Sequence, residues 1–149
     1  MVKKVSTESD VYNLLLKHIK QNDHSAEVLG EIKRRGDRNI VVTNTQQKHV
    51  NYFLGLVKMR HLFDEYIGIS KHQEREGLNS AEHKAQRILK YCNGKGYDQI
   101  VMIGDSESDI TAGKIAGATT FMYDPWNRHL NTKADYRIKD LRKILKVYK

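Results

Sequence analysis

With 149 residues, 39% apolar and 30% charged, the chain has the length and composition of one soluble globular domain able to bury a core of its own. Its 26 Lys and Arg against 18 Asp and Glu give a formal charge of +8, which favours anionic partners such as phosphorylated metabolites, nucleic acid or an acidic protein surface. The single cysteine, Cys92, excludes an internal disulfide, no Cys/His spacing suggests zinc, and nowhere do about 18 apolar residues run together to span a membrane. A cytoplasmic protein without a membrane role is the expectation, because the basic start at residues 1–7 is not followed by the apolar stretch of a signal peptide.

In chain order, Val11, Leu14, Leu15 and Ile19 recur on one face and predict an amphipathic helix over residues 7–21, capped by Ser6 or Thr7. A second helix is expected over 25–35, with Ser25 as its N-cap, Val28, Leu29 and Ile32 facing inward and Gly36 ending it. Residues 39–44 read as a short buried strand closing in a hydroxyl and an amide, Thr43 and Asn44. A helix through Val50, Phe53, Leu54 and Val57 follows, then a strand over 66–70. Residues 71–78 form a polar connection, and Asn79 or Ser80 caps a helix carrying Ala85, Ile88, Leu89 and Tyr91 that ends at Asn93-Gly94-Lys95-Gly96. The remainder gives a central strand and its helix, a strand over 119–123, the turn Asp124-Pro125-Trp126-Asn127, a short strand over 134–138 and a closing helix to Val147. Such alternation implies right-handed βαβ units. The expected fold is α/β, a three-layer doubly wound parallel sheet in a single domain over 1–149 whose first 24 residues are atypical.

The densest chemical signal is Gln99-Ile100-Val101-Met102-Ile103-Gly104-Asp105-Ser106-Glu107-Ser108-Asp109. Four apolar residues without polar alternation predict a strand buried on both faces, and the two aspartates follow at its C-terminal end, where open α/β sheets bind their ligands. With a helix beginning near Ser106, Asp105 and Asp109 stand one turn apart and offer hard oxygens to one side of a divalent cation such as Mg²⁺. The same residues also make a good helix start, with Ser106 or Ser108 as N-cap and acidic groups in the first turn. The stretch continues as Ile110-Thr111-Ala112-Gly113-Lys114-Ile115-Ala116-Gly117-Ala118-Thr119-Thr120-Phe121-Met122-Tyr123. Here the chain resembles the haloacid dehalogenase (HAD) superfamily of phosphohydrolases, whose fourth motif is an apolar strand, Gly-Asp-x-x-x-Asp, a small-residue helix and a short strand after Ala-Gly-Ala. The closing Ala134-Asp135-Tyr136-Arg137-Ile138 and final helix are similar to phosphoglycolate-phosphatase-like members.

The resemblance implies a Rossmann-like fold and Mg²⁺-dependent phosphomonoester hydrolysis, with Asp105 and Asp109 at the metal. Thr43 stands where the second motif closes its strand in Thr or Ser, and its hydroxyl with the backbone N–H of Asn44 would hold a phosphate oxygen. Lys84 has the setting of the lysine that steadies negative charge on nucleophile and phosphate, with Lys71 as its rival. The first motif, an apolar strand ending in Asp-x-Asp-x-Thr, supplies the nucleophile and then the general acid and base. Its nearest counterpart is residues 1–10, with Glu8 in the nucleophile's place and at the metal, and Asp10 in the acid's. Glu is one methylene longer than an in-line geometry tuned to Asp, and the same stretch serves equally as a cap for the first helix.

With Glu8 and Asp10 in those places the site would turn over slowly or not at all; otherwise an N-terminal segment is missing or the fold is kept without hydrolysis. Neither family insertion point has room for a full cap domain, which in this family goes with an open site for larger phosphorylated substrates, small-molecule or macromolecular. Two rival readings stay open: a non-catalytic HAD-like binding or regulatory protein for a phosphorylated or anionic partner, and a basic nucleic-acid binder on the same scaffold. The second has no recognisable nucleic-acid motif beside its dispersed charge. No feature of the sequence fixes an oligomeric state.

Overall fold

A computed structural model describes residues 21–69 and 80–148. The chain there runs α1 (Ser25–Arg34), β1 (Ile40–Gln46), α2 (Gln47–Leu56), a 3-10 turn (Arg60–Leu62), β2 (Glu65–Ile69), α3 (Ser80–Cys92) and β3 (Val101–Gly104). It continues through α4 (Glu107–Ile115), β4 (Thr119–Tyr123), β5 (Tyr136–Ile138), a second 3-10 turn (Leu141–Lys143) and α5 (Ile144–Val147). Every strand pairing among these residues is parallel, β1 with β2 and β3 with β4 with β5. Parallel neighbours need a crossover, which α2 supplies between β1 and β2 and α4 between β3 and β4. This is the doubly wound α/β arrangement the sequence predicts, seen as a pair of strands and a set of three.

Side chains alternate across a strand, so each strand feeds two helix layers. Phe121 of β4 points to one side, where Val28 and Ile32 of α1, Ile138 of β5, Leu141 and Ile144 close around it. On the other side, Ala81, Ala85 and Ile88 of α3 meet Ala112 and Ala116 of α4, backed by Val42, Ile100 and Met102. Small residues let α4 lie close on the sheet: a Cβ at Gly113 would stand 2.8 Å from both Met102 Cβ and Thr120 Cγ2. Phe121, Ile110 and Ile144 are each fully buried, which stabilises the fold by about 1.5–3 kcal/mol apiece. The helix α3 packs against both β1 and α4 and so ties the two groups of strands together. Arg87 reaches Thr43 near the end of β1, while Lys84, one turn earlier, reaches Asp109 just beyond β3. The C-terminal ends of β1 and β3 therefore open toward the same region.

Several local expectations change. Ser25 is the first helical residue rather than the N-cap; its hydroxyl donates to Asn22 O, and His24 caps the helix in a left-handed conformation at φ 65°. The strand β1 extends to Gln46, with an irregular register between Val42 and Gln46. Ile103 is 37% exposed rather than sealed on both faces, because among the described residues β3 is paired only on the β4 side. Leu89 faces outward, 44% exposed, since the buried stripe of α3 runs through Ala81, Lys84, Ala85 and Ile88. The closing helix is a 3-10 turn followed by one short α segment. The expected helix over 7–21 and the connection over 71–78 lie outside the described residues, save Gln21.

Candidate functional site

The acidic turn after β3 folds as a capped helix start that also presents carboxylates. Ser106 is the N-cap of α4: its Oγ accepts from the Asp109 backbone N–H at 3.3 Å and donates to Asp109 Oδ2 at 3.0 Å. Gly104 is required by proximity, since a Cβ there would lie 2.3 Å from Asp109 Cβ. Lys84 Nζ meets Asp109 Oδ1 at 2.5 Å, and Lys84 is only 7% exposed. A buried ammonium without a carboxylate would be costly, so this pair fixes both side chains. Asp105 is different: it is exposed and, among the described residues, has no ion-pair or hydrogen-bond partner. The two aspartates expected to share a metal thus divide their work, Asp109 holding Lys84 and Ser106, Asp105 presenting a free carboxylate.

At the end of β1 the chain leaves its ladder at the irregularity after Val42. Thr43 Oγ1 accepts from the Thr45 backbone N–H and contacts Thr45 Oγ1, both at 3.2 Å, which turns the hydroxyl back along its own strand. Asn44 is exposed, and its Oδ1 accepts from Arg87 Nη2 at 2.6 Å. Arg87 Nη1 donates to Thr43 O at 2.6 Å and Arg87 Nε to His83 O at 3.3 Å. Burial pushes the Arg87 guanidinium below its ordinary value, and among the described residues its hydrogen-bond partners are the neutral oxygens of His83, Thr43 and Asn44. Among the described residues, Thr43, Asn44, Lys84, Asp105, Ser106 and Asp109 all line one opening between β1 and β3, which continues along the apolar Val41, Val42, Val101 and Met102.

Thr43, Asn44, Lys84, Asp105 and Asp109 therefore line a common opening, in which Lys84 meets Asp109. Glu8, Asp10 and the rival Lys71 lie outside the described residues. Arg87 is the participant that sequence reading misses; its signal is a basic residue three positions after Lys84, among the apolar Ala85 and Ile88, a spacing that puts both cations on one helix face. No cluster of three or more His, Cys, Asp or Glu side chains suited to a metal occurs among the described residues. The donor set suits an ion held by one or two carboxylates that keeps much of its water, as Mg²⁺ does, rather than a closed cage.

A family model described as haloacid dehalogenase-like hydrolase matches residues 2–123, most of the chain. The chain belongs to this family. Among its HAD relatives, the phosphoglycolate phosphatase of Haemophilus influenzae (strain ATCC 51907) is 31% identical over 93 residues, 61% of this chain and 39% of that protein. The pyrophosphatase PpaX of Bacillus cereus (strain B4264) is 29% identical over 94 residues, 63% and 42% of the two chains. A crystal structure of a predicted phosphoglycolate phosphatase from Haemophilus somnus 129PT superposes with a TM-score of 0.74 at 26% identity, covering 99% of this chain and 70% of that one. The HAD hydrolase YfnB of Bacillus subtilis, solved bound to magnesium, shares the fold with a TM-score of 0.74 at 16% identity over 94% of this chain and 60% of that one. The chain spans from 39% to 60% of the length of curated relatives it matches. No helix among the described residues is long and apolar enough to cross a membrane.

Proposed function

We propose that this HAD-family chain forms a Mg²⁺-dependent phosphomonoesterase site, with its phosphate between the end of β1 and the start of α4. One observation carries the reading: Lys84, pinned to Asp109, lines the same opening as Thr43, Asn44 and Asp105, whose carboxylate has no partner among the described residues. The phosphatase relatives and the magnesium in the YfnB structure support it. Lys84 would balance the charge of a bound phosphate and the backbone N–H of Asn44 would donate to its oxygens, with the Thr43 hydroxyl joining them on exchanging its contact with Thr45 Oγ1 for the phosphate. Asp105, with Asp109 behind it, would hold the ion, which when bound neutralises phosphoryl charge. Glu8 and Asp10 are assigned as nucleophile and general acid and base from sequence position alone.

The test is hydrolysis of p-nitrophenyl phosphate with and without Mg²⁺, by the wild type and by Asp105→Asn, Glu8→Gln and Asp10→Asn. The expected result is Mg²⁺-dependent release of p-nitrophenol that falls at least about tenfold in each variant, a loss of about 1.4 kcal/mol of transition-state stabilisation. Turnover indifferent to Mg²⁺ and to Asp105→Asn overturns the site. A second reading, phosphate binding without hydrolysis, is favoured by one feature: the Asp109 carboxylate is occupied by Lys84. It predicts no turnover, with a melting temperature raised by inorganic phosphate through binding to the native state.

A further inference from the structure

The loop from Asp124 to Asp135 holds a large aromatic side chain in the open at the edge of the site. Asp105 is one residue past β3, and Gly104 pairs with Met122, so Trp126 sits a few residues beyond the same end of the sheet. Trp126 is 69% exposed and lines the same cavity as Asp105, Ser106 and Thr43. The loop is not a loose one. Asp124, 2% exposed, accepts from the backbone N–H of Arg128 at 2.7 Å and of His129 at 2.9 Å, and from Arg137 Nη1 at 3.2 Å. Asn127 takes a left-handed conformation, φ 56°, with its Oδ1 accepting from Arg137. Lys133 N donates to Glu107 Oε2 at 3.4 Å, so the far side of the loop leans on the first turn of α4. Arg128 stacks over the Trp126 indole at 5.4 Å, which orients the ring without covering it. An indole held rigid and mostly uncovered loses the hydrophobic gain of burial, a cost recovered when a flat partner covers its face.

We propose that Trp126, set by Arg128 and the Asp124 anchor, is a stacking shelf for the leaving group, and that the preferred substrates are phosphate monoesters carrying a planar heteroaromatic ring, such as nucleoside 5′-phosphates. The proposal rests on the phosphate site above: the phosphate enters between Thr43, Lys84 and Asp105, and the ring lies on Trp126. Stacking of a base on an aromatic side chain strengthens binding by about 5- to 150-fold, judged by removal of the side chain.

Trp126 is the only tryptophan in the chain, so its fluorescence reports the contact directly. The experiment titrates AMP, ribose 5-phosphate and adenosine into the wild type, following emission and heat, and repeats the calorimetry with Trp126→Ala and Trp126→Phe. The proposal expects saturable quenching by AMP and none by ribose 5-phosphate, with AMP binding at least about five times more tightly. It expects that preference to vanish in Trp126→Ala and to persist in Trp126→Phe. Equal affinity for AMP and ribose 5-phosphate, or a preference that survives Trp126→Ala, overturns the shelf while leaving the phosphate reading in place. Adenosine binding as tightly as AMP, with quenching, supports the shelf and overturns the phosphate reading. Failure of all three ligands to bind overturns both.

Discussion

At the scale of single residues, the cation at position 87 is as informative as the lysine the motif points to. Arg87 holds Asn44 Oδ1, so the Asn44 amide must turn its N–H groups away from Arg87. On the proposed reading Arg87 would be a positioning residue, setting the end of β1 through Thr43 O and Asn44 Oδ1. Arg87→Met leaves the half-buried Thr43 O without its donor, at about 1–3 kcal/mol, whereas the exposed Asn44 Oδ1 turns to water. The fold should survive with a lower melting temperature. If Arg87 acts through Asn44, the KM increases of Arg87→Met and Asn44→Ala will not add in the double variant; strictly additive effects leave Arg87 a structural residue only. Asp124 gives a second test. Burial alone would raise its carboxyl, but the backbone N–H groups of His129 and Arg128 and the Arg137 guanidinium outweigh that and hold it below the usual carboxylate range. Its contribution to stability is therefore complete above the unfolded value near about 3.9 and fades as pH falls through the lower folded value. Melting curves between about pH 2 and 6 should show a weaker acid dependence for Asp124→Asn than for the wild type; identical slopes would contradict the anchor.

At the scale of elements, β3 and α4 illustrate what periodicity can and cannot reveal. The apolar run, the serine cap and the two aspartates were legible because they depend on neighbours within one turn, and Ser106 caps α4 as expected. What was not legible is which aspartate stays free, since that is decided by Lys84, 25 residues away in the chain. For the same reason the exposure of Ile103 and the outward turn of Leu89 could not be read locally: each reflects which element packs alongside. The break in β1 after Val42 also escapes a pattern of hydrophobic residues, because the side-chain turn from Thr43 to Thr45 causes no change in apolar spacing. Gly104→Ala places a methyl against the Asp109 side chain, so the carboxylate or the start of α4 must move. Overpacking of this sort costs about 1–3 kcal/mol, and for a chain of this size each kcal/mol lowers the melting temperature by about 2–4 °C. Circular dichroism melts should register that loss together with weaker phosphate binding; a variant with unchanged affinity would separate Asp109 from the site.

At the scale of the whole molecule, the parallel pairing, the order of helices and strands among the described residues, and the position of Asp105 just past the C-terminal end of β3 were accessible from the sequence, because alternation of two periodicities permits few topologies. Family membership follows from the match over residues 2–123, and the fold from the HAD superpositions. The tie between the two groups of strands was not accessible: it depends on α3, whose Lys84 and Arg87 reach opposite walls of one cavity. That convergence predicts linkage between metal and anion. Calorimetric titration of inorganic phosphate in the presence and absence of Mg²⁺ measures it most directly, independently of any nucleophile. Mg²⁺ should tighten phosphate binding, and by reciprocity phosphate should tighten Mg²⁺ binding by the same factor, with Asp105→Asn abolishing the coupling. Phosphate affinity that is the same with and without Mg²⁺ in the wild type, or a coupling that survives Asp105→Asn, would contradict the account.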